Sequence, residues 1–219
     1  MPKNILMVVT NHEKITEEIK SGIWLSEFAE AYNEFKEQGY TVMVASPQGG
    51  KSPVDQSSID DQTPQAILDA QPYLEETVKL DELDPRNFDA IFLPGGHGAM
   101  YDLPENQTLQ TFLRDFYEAD KPVGAVCHGP AGLVGVTLSN GEPLIAGKKV
   151  NAFTNLEERD TTLDNYVPFL LESKIRDLGA IYVAAPNWTS HVEKDGNLVT
   201  GQNPQSTLAV TQSFIKLLG

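Results

Sequence analysis

A cysteine followed directly by a histidine is the pair of residues in this sequence best suited to chemistry. Cys127, the only cysteine of the chain, and His128 lie in the stretch VGAVCHGPAGLV, between a short apolar run and a helix-like segment that begins with Gly-Pro. A thiol at a helix N-terminus lies near the positive end of the helix dipole, which lowers the thiol pKa and favours the nucleophilic thiolate. The pattern therefore indicates a cysteine nucleophile, and the alternative is a small buried thiol without a reaction.

A glycine turn, LPGGHGAMYDLP at residues 93–104, supplies the second group of candidates. The turn ends a neighbouring predicted strand, so its backbone N–H groups can face the space above Cys127. The N–H groups of Gly96, or of a residue next to it, and of His128 would then form an oxyanion hole. His97 lies in the same turn, and we expect it to position or pack rather than to catalyse.

Strands that alternate with helices would position these residues. Apolar runs predict strands in NILMVVT, TVMVAS, FDAIFL, KPVGAV, KKVNAF and IYVAAP, and a hairpin in WTSHVEKDGNLVTG that turns at Asp195 and Gly196. Helical patterns occupy 21–40, NQTLQTFLRDFYEAD, GPAGLVGVTL, VPFLLESKIRDLG and a last helix near Asn203, the predicted N-cap. This order predicts a parallel sheet covered on both faces, with ligands beyond the carboxyl ends of its strands, where Cys127 lies.

Composition excludes several classes of protein. The net charge of −15 argues against nucleic acid and anionic membranes as partners. The apolar runs are far shorter than the ~20 residues of a membrane span, and the N-terminus lacks a signal-peptide pattern. One cysteine cannot form an internal disulfide, which fits a protein of the reducing cytosol. The four histidines lack the spacing of metal ligands, so we predict no metal site. A chain of 219 residues fits one α/β domain, with residues 47–75 as an irregular insertion.

The quoted motifs carry a resemblance to a known family. AVCHGPAGLV together with FLPGGHGAMYDL resembles the ThiJ/PfpI (DJ) superfamily, with a class I glutamine amidotransferase-like domain. SGIWLSEFAEAYNEF, residues 150–180 and DGNLVTGQNPQST are similar to the branch of heat-shock chaperone-like proteins and glutathione-independent glyoxalases, the glyoxalase III type. The resemblance implies an α/β fold, a flavodoxin-like three-layer αβα sandwich with a mostly parallel sheet and a strand-to-helix nucleophile elbow at Cys127, in one domain over residues 1–219.

The resemblance also implies roles for individual residues. Cys127 matches the nucleophile and His128 the catalytic histidine. Glu158 matches the acid of a Cys-His-Glu triad, with Glu157 the less favoured choice. Glu27 matches a buried glutamate that hydrogen-bonds the sulfur; because a carboxylate would repel a thiolate, we expect Glu27 to be protonated.

The activity implied by the resemblance is redox-neutral and needs no cofactor. The substrate would be a small dicarbonyl such as methylglyoxal, bound by Gly96, His97, His128 and Trp24 and converted to a 2-hydroxy acid through a hemithioacetal on Cys127. Trp24, Tyr101 and Trp188 could shield the intermediate. The resemblance further implies a cytoplasmic homodimer. Alternatives are a holdase chaperone or stress-response protein, a peptidase or amidase, and a redox sensor based on the cysteine.

Overall fold

The computed structural model describes residues 2–219 and is built around a seven-stranded sheet. The strands, numbered along the chain, are β1 (Asn4–Val8), β2 (Thr41–Ser46), β3 (Val78–Lys79), β4 (Ala90–Leu93), β5 (Val123–Val126), β6 (Lys149–Val150), β7 (Ile181–Tyr182), β8 (Val192–Asp195) and β9 (Leu198–Gly201). Seven of them form one sheet in the order β3-β2-β1-β4-β5-β9-β8. Every neighbouring pair is parallel except β8 and β9, so the predicted, mostly parallel flavodoxin-like sheet is confirmed.

Side chains of β1 alternate between two apolar cores, one on each face of the sheet. Leu6 and Val8 belong to one core, whereas Ile5 and Met7 belong to the other. A strand at the centre of a parallel sheet is buried on both faces, which explains its continuous apolar sequence. The helices are α1 (Leu25–Glu37), α2 (Gln65–Leu68), α3 (Ala99–Asp102), α4 (Gln107–Glu118), α5 (Asn155–Asp160), α6 (Leu171–Asp177) and α7 (Thr207–Ile215). Residues of α1 and α7 pack in the core of Ile5, and those of α4 and α6 pack in the other.

Local sequence explains several element ends. The side chain of Asn106 caps α4 by accepting a hydrogen bond of 2.8 Å from the N–H of Leu109. Gly39 follows α1 with φ of +74°, the left-handed conformation in which many helices end. The β8–β9 hairpin turns where predicted: Asp195 pairs with Leu198, and Gly196 has φ of +59°.

The helices predicted after Cys127 and Asn203 both begin with 3-10 turns. After Cys127 the helix is only a short 3-10 segment, Gly129–Leu133, because this glycine-rich stretch has a low helix propensity. Asn203 lies at the predicted N-cap position, before a 3-10 turn, Pro204–Ser206, that leads directly into α7. Its side chain bonds no helix N–H, because its amide nitrogen donates to Glu157 and its oxygen accepts from the Ser206 hydroxyl.

The strands predicted in KKVNAF and IYVAAP do not join the main sheet. They form β6 and β7, a separate parallel pair of two residues each. The place beside β9 is taken by β8, so β6 is tied to the hairpin through side chains: the N–H of Lys149 donates to Asp195 at 2.9 Å, and that of Asn151 to Thr200 Oγ1 at 3.0 Å.

Residues 47–75 lie over the carboxyl end of β1 and contain turns, two 3-10 segments (Gln56–Ser58 and Gln71–Leu74) and the single-turn helix α2. Ser52 Oγ donates to the carbonyl of Thr10 at 2.6 Å, and Ile23 forms an isolated β-bridge with Val54. This segment therefore closes one side of the space into which the strands point. Among the described residues no helix combines the length and apolarity that a membrane span requires.

Candidate active site

Cys127 lies on a sharp turn directly after β5. Its φ of +60° is in the left-handed region, which a residue with a Cβ rarely adopts. Two backbone hydrogen bonds of 2.9 Å hold the turn, from the Cys127 N–H to the Gly201 carbonyl and from the Phe153 N–H to the Cys127 carbonyl. A Cβ on Gly129 would lie 2.1 Å from the Leu93 carbonyl oxygen, so the tight packing of the elbow requires glycine there. The predicted elbow is therefore present.

A hydrogen-bonded chain joins the thiol to a carboxylate. His128 Nδ1 lies 3.5 Å from Cys127 Sγ, and His128 Nε2 lies 2.7 Å from Glu158 Oε2. Glu158 is held in the first turn of α5, and all three side chains are buried. A carboxylate on Nε2 holds the Nε2–H tautomer, which leaves Nδ1 free to accept the thiol proton.

The carboxylate of Glu158 is shared by a second imidazole. His97 Nε2 lies 2.5 Å from Glu158 Oε1, and the ring centroids of His97 and His128 are 4.1 Å apart. Burial alone would raise the pKa of Glu158, but the charges and hydrogen bonds of the two histidines outweigh burial and hold this pKa well below its usual range. Glu158 is therefore ionised and accepts one N–H on each oxygen.

Glu27 is a buried carboxyl that contacts the glycine turn and interacts with the sulfur. Its Oε2 accepts a hydrogen bond of 2.7 Å from the N–H of Gly95, and its side chain interacts with the thiol of Cys127. Burial raises the pKa of Glu27 to about 8, although the Cys127 and Gly95 contacts lower it. A carboxyl with this raised pKa favours its protonated form at neutral pH, in which it can donate to sulfur.

The expected low pKa of the thiol is not present in the structure. Burial raises the pKa of Cys127, and an ionised Glu27 would raise it further; only the backbone N–H of His128 lowers it. The five-residue 3-10 segment after the elbow is too short to supply the helix dipole on which the expectation depended. The thiolate must therefore form as the thiol proton moves to His128 during attack.

Two backbone N–H groups beside the sulfur are not paired with an oxygen. Within residues 2–219, neither the N–H of Gly96 nor that of His128 donates to a backbone or side-chain oxygen, and the N–H of His128 hydrogen-bonds the sulfur of Cys127. The Gly95–Gly96 turn is pressed against the elbow, because a Cβ on Gly95 would lie 2.6 Å from the His128 nitrogen. These are the two donors predicted for an oxyanion hole, and no protein oxygen competes with a substrate oxygen for them.

A cavity of about 60 Å³ opens onto these groups. Its lining residues are Trp24, Gly96, His97, Cys127, His128, Phe153, Thr161, Trp188 and Pro204. It adjoins a wider groove of about 360 Å³ that shares Trp24, His97 and Thr161. Tyr101, predicted as a wall residue, is absent from this lining; it stacks on His12, with ring centroids 4.3 Å apart.

Comparison with known proteins places the chain in a family. The DJ-1/PfpI family matches it over residues 14–217. The chain belongs to the DJ-1/PfpI family. Glyoxalase 3 of Candida albicans is 28% identical over 227 residues, covering 96% of each chain, and the glutathione-independent glyoxalase HSP31 of Saccharomyces cerevisiae is 29% identical, covering 94% of this chain and 93% of its own.

Two solved structures are similar to this chain over almost its full length. The Rapid Encystment Protein 24 kDa of Francisella tularensis has 32% identity and a TM-score of 0.94, covering 99% of both chains. Glyoxalase III of Candida albicans has 27% identity and a TM-score of 0.89, covering 98% of this chain and 97% of its own. The recurrence of glyoxalases among the relatives supports an enzymatic role for this chain.

This DJ-1/PfpI site brings together all seven residues singled out from the sequence: Cys127, His128, Glu158, Glu27, Gly96, His97 and Trp24. Sequence reasoning missed Phe153, whose ring centroid lies 4.4 Å from that of His128 and 5.5 Å from that of Trp188. It also missed Thr161 in the wall. Both residues lie in a segment that carries the family resemblance, but their positions after β6 and α5 show that they face the cavity only once the chain has folded.

Glu157, the alternative triad acid, instead accepts hydrogen bonds from residues at the wall of the cavity. Its Oε2 accepts from the N–H and hydroxyl of Thr154 in a capping box at the start of α5. Its Oε1 accepts from the Trp188 N–H at 2.9 Å, Asn203 Nδ2 at 2.8 Å and Gln202 Nε2 at 3.1 Å. Trp188 has φ of +59°, so this buried carboxylate stabilises a strained conformation that presents an aromatic ring to the cavity.

The geometry of the histidine cluster argues against one metal ion shared by its three side chains. His97, His128 and Glu158 offer ligand atoms within 4.8 Å of one another. Ligands at about 2.1 Å from a tetrahedral metal ion are about 3.4 Å apart. The Nε2–oxygen distances of 2.5 and 2.7 Å are instead those of hydrogen bonds. The absence of a metal stays a prediction.

Replacement of Glu27 by glutamine should remove a pH dependence of stability. The folded-state pKa of about 8 lies above the ordinary value of 4.5, so the folded chain binds more protons than the unfolded chain between these values. The contribution of Glu27 to the free energy of unfolding is therefore fully present below pH ~4.5 and is lost as pH rises to ~8, by up to about 1.4 kcal/mol per pH unit. We expect Glu27→Gln to gain stability relative to the wild type across this range.

The measurement is urea unfolding of the wild type and of Glu27→Gln at several pH values. Glu37→Gln, on the exposed face of the same helix, is the matched control and should show no such trend. A constant difference between the wild type and Glu27→Gln from pH 5 to pH 8 would show that Glu27 is not protonated in the folded chain.

Proposed function

We propose that this chain is a glutathione-independent glyoxalase, a cofactor-independent lyase that converts methylglyoxal and related 2-oxoaldehydes to 2-hydroxy acids. The observation that carries the proposal is the convergence on one small cavity of a buried thiol, an imidazole–carboxylate pair and backbone N–H groups that are not paired with an oxygen. Similarity to named glyoxalases supports the same substrate class. The thiol lies in a cavity of about 60 Å³, which has room for a small dicarbonyl.

The first step adds sulfur to the aldehyde carbon. The Cys127 thiol transfers its proton to His128 Nδ1 as sulfur attacks, and the protonated imidazole returns this proton to the carbonyl oxygen. The product is a hemithioacetal, R–CO–CH(OH)–S–Cys. The N–H groups of Gly96 and His128 stabilise the negative charge that develops on oxygen, and Glu158 stabilises the imidazolium.

The second step moves a proton between two carbons, and the third releases the acid. Removal of the proton from the carbon bonded to sulfur gives an enediolate, because the π pair of the ketone moves to its oxygen. Protonation of the neighbouring carbon, with transfer of the remaining hydroxyl proton to the enediolate oxygen, gives the thioester R–CH(OH)–CO–S–Cys. One carbon is oxidised and the other reduced, so no external oxidant is needed. Water then hydrolyses the thioester to the 2-hydroxy acid and the free thiol.

The test is the formation of lactate from methylglyoxal by purified protein without glutathione. We expect turnover that persists after treatment with a chelator, because the proposed steps use protein side chains only. Lactate is measured by an enzyme-coupled assay or by NMR. Absence of lactate, with the folded state confirmed, would contradict the proposal and leave the holdase, amidase and redox-sensor functions as alternatives. A homodimer, a cytoplasmic location and a single domain over residues 1–219 stay predictions.

A further inference from the structure

We infer that His97 is a second catalytic base, which takes the carbon-bound proton of the hemithioacetal, while His128 handles the proton of the thiol. This inference rests on the proposed glyoxalase reaction and assigns its proton-transfer step to one atom, His97 Nδ1. It replaces the positioning or packing role expected for His97 from the sequence.

The first observation is that Glu27 does not reach the cavity. Its side chain is completely buried, and it is absent from the residues that line the space above Cys127. Its carboxyl is directed to the sulfur and to the N–H of Gly95. Glu27 can therefore hydrogen-bond the sulfur, but another group must contact the substrate carbons. The titratable side chains that do line the cavity are His97, His128 and the nucleophile itself.

The second observation concerns the free nitrogen of His97. Because ionised Glu158 accepts a hydrogen bond from each Nε2, both histidines carry their proton on Nε2 and have a basic Nδ1. His128 Nδ1 faces the sulfur at 3.5 Å. His97 Nδ1 has no hydrogen-bond partner among residues 2–219, and it is not one of the fully enclosed unpaired atoms of that range. His97 lines both the cavity and the adjoining groove, so its free nitrogen remains accessible there.

The third observation is that the two rings compete for one added proton. Their centroids are 4.1 Å apart. Burial contributes most to the lowered pKa of His128, and the proximity of His97 lowers this pKa further. Two adjacent imidazolium ions would repel each other, whereas one is stabilised by the shared carboxylate. A base that takes the carbon proton must act when His128 has already returned the thiol proton to the substrate oxygen. The order of the two steps satisfies this requirement.

His97 Nδ1 removes the proton from the carbon bonded to sulfur. The electron pair of that C–H bond forms a carbon–carbon double bond, and the π pair of the ketone moves to its oxygen, which gives an enediolate. The imidazolium of His97 then delivers its proton to the former ketone carbon. Once His97 is neutral again, the hydroxyl on the carbon bonded to sulfur loses its proton to His128 and becomes the thioester carbonyl. His128 passes this proton to the enediolate oxygen, which becomes the hydroxyl of the CH(OH) centre, so each histidine ends with the protons with which it began.

The decisive variant is His97→Gln, because a glutamine amide can still donate to Glu158 from the place of Nε2 but has no basic nitrogen in place of Nδ1. We expect methylglyoxal turnover to fall about 10²-fold, the lower range for general acid–base catalysis. We expect alkylation of Cys127 by iodoacetamide to stay within threefold of the wild type. Aldehyde-deuterated methylglyoxal should show a large primary isotope effect on kcat in the variant, because carbon deprotonation then limits the rate.

The matched control is His191→Gln, since His191 also lies beside a carboxylate, 3.0 Å from Glu193, but outside the cavity lining. It should retain wild-type kinetics. His97→Ala supplies a second test, because added imidazole should restore part of its turnover.

Three results would overturn the inference: His97→Gln turnover within threefold of the wild type, loss of alkylation equal to the loss of turnover, or no isotope effect in the variant. The second would show that His97 acts only through Glu158. A wild-type chain without turnover, but with normal alkylation, would instead contradict the proposed function.

Discussion

Cys127→Ala is expected to abolish formation of lactate from methylglyoxal and to leave the melting temperature nearly unchanged. Cys127 is the only thiol of the chain, so no neighbouring sulfur can replace it in the hemithioacetal. Alanine fills most of the same small volume, and removal of one buried atom costs about 1 kcal/mol. The elbow itself is held by backbone hydrogen bonds of the residue and by its glycine neighbours, which the substitution leaves in place.

The chemical course can be tested on the same variant. Wild-type protein quenched during turnover should carry the mass of one bound methylglyoxal on the peptide that contains Cys127, and Cys127→Ala should carry none. Cys127→Ser is the second control: it retains a hydroxyl of similar size, but oxygen is a poorer nucleophile at neutral pH than sulfur. Undiminished lactate formation by the alanine variant would contradict the covalent mechanism.

The central sheet was predictable because its strands differ sharply in composition from the segments around them. Every residue of β4 and β5 is buried, and their apolar runs are bounded by proline, glycine or charge. The pairing of β6 with β7 was not predictable, since KKVNAF and IYVAAP each contain a short apolar stretch of the kind that also forms strands of the main sheet. The position beside β9 is occupied by β8, because a two-residue hairpin joins these two strands. The strands β6 and β7 therefore pair with each other outside the main sheet.

The candidate site was predictable as far as it consists of local motifs or of a family resemblance. The elbow at Cys127 and the turn at Gly96 are continuous stretches, and resemblance indicated Glu27 and Glu158. The thiol pKa was not predictable, because it depends on burial and on the length of the following helix. The sharing of Glu158 by two imidazoles was also not predictable, since His97 and Glu158 are 61 positions apart in the sequence.

The shared carboxylate makes Glu158→Gln the second variant with a very large expected effect. Ionised Glu158 accepts an N–H from His128 on one oxygen and an N–H from His97 on the other. A glutamine has one oxygen that accepts and one NH₂ group that donates. The imidazole that meets the NH₂ group must present a bare Nε2, and its proton must then lie on Nδ1.

Either orientation of the glutamine side-chain amide prevents one of the two proton transfers. If the NH₂ group meets His128, Nδ1–H faces the sulfur and cannot accept the thiol proton. If it meets His97, the nitrogen that faces the cavity is no longer a base. The positive charge that forms during the reaction also loses its counter-ion. An amide in place of a triad carboxylate lowers kcat by about 10⁴ in a serine protease, so we expect a loss of about 10³-fold or more.

Steady-state kinetics of Glu158→Gln and Glu193→Gln would check this expectation. Glu193 also lies beside a histidine, but its partner His191 is outside the cavity lining, so Glu193→Gln should retain wild-type turnover. Alkylation of Cys127 should slow in Glu158→Gln when the amide faces His128 and stay normal when it faces His97, which separates the two orientations. Turnover of Glu158→Gln within tenfold of the wild type would mean that neither imidazole depends on this carboxylate, and the proton-transfer scheme built on it would be wrong.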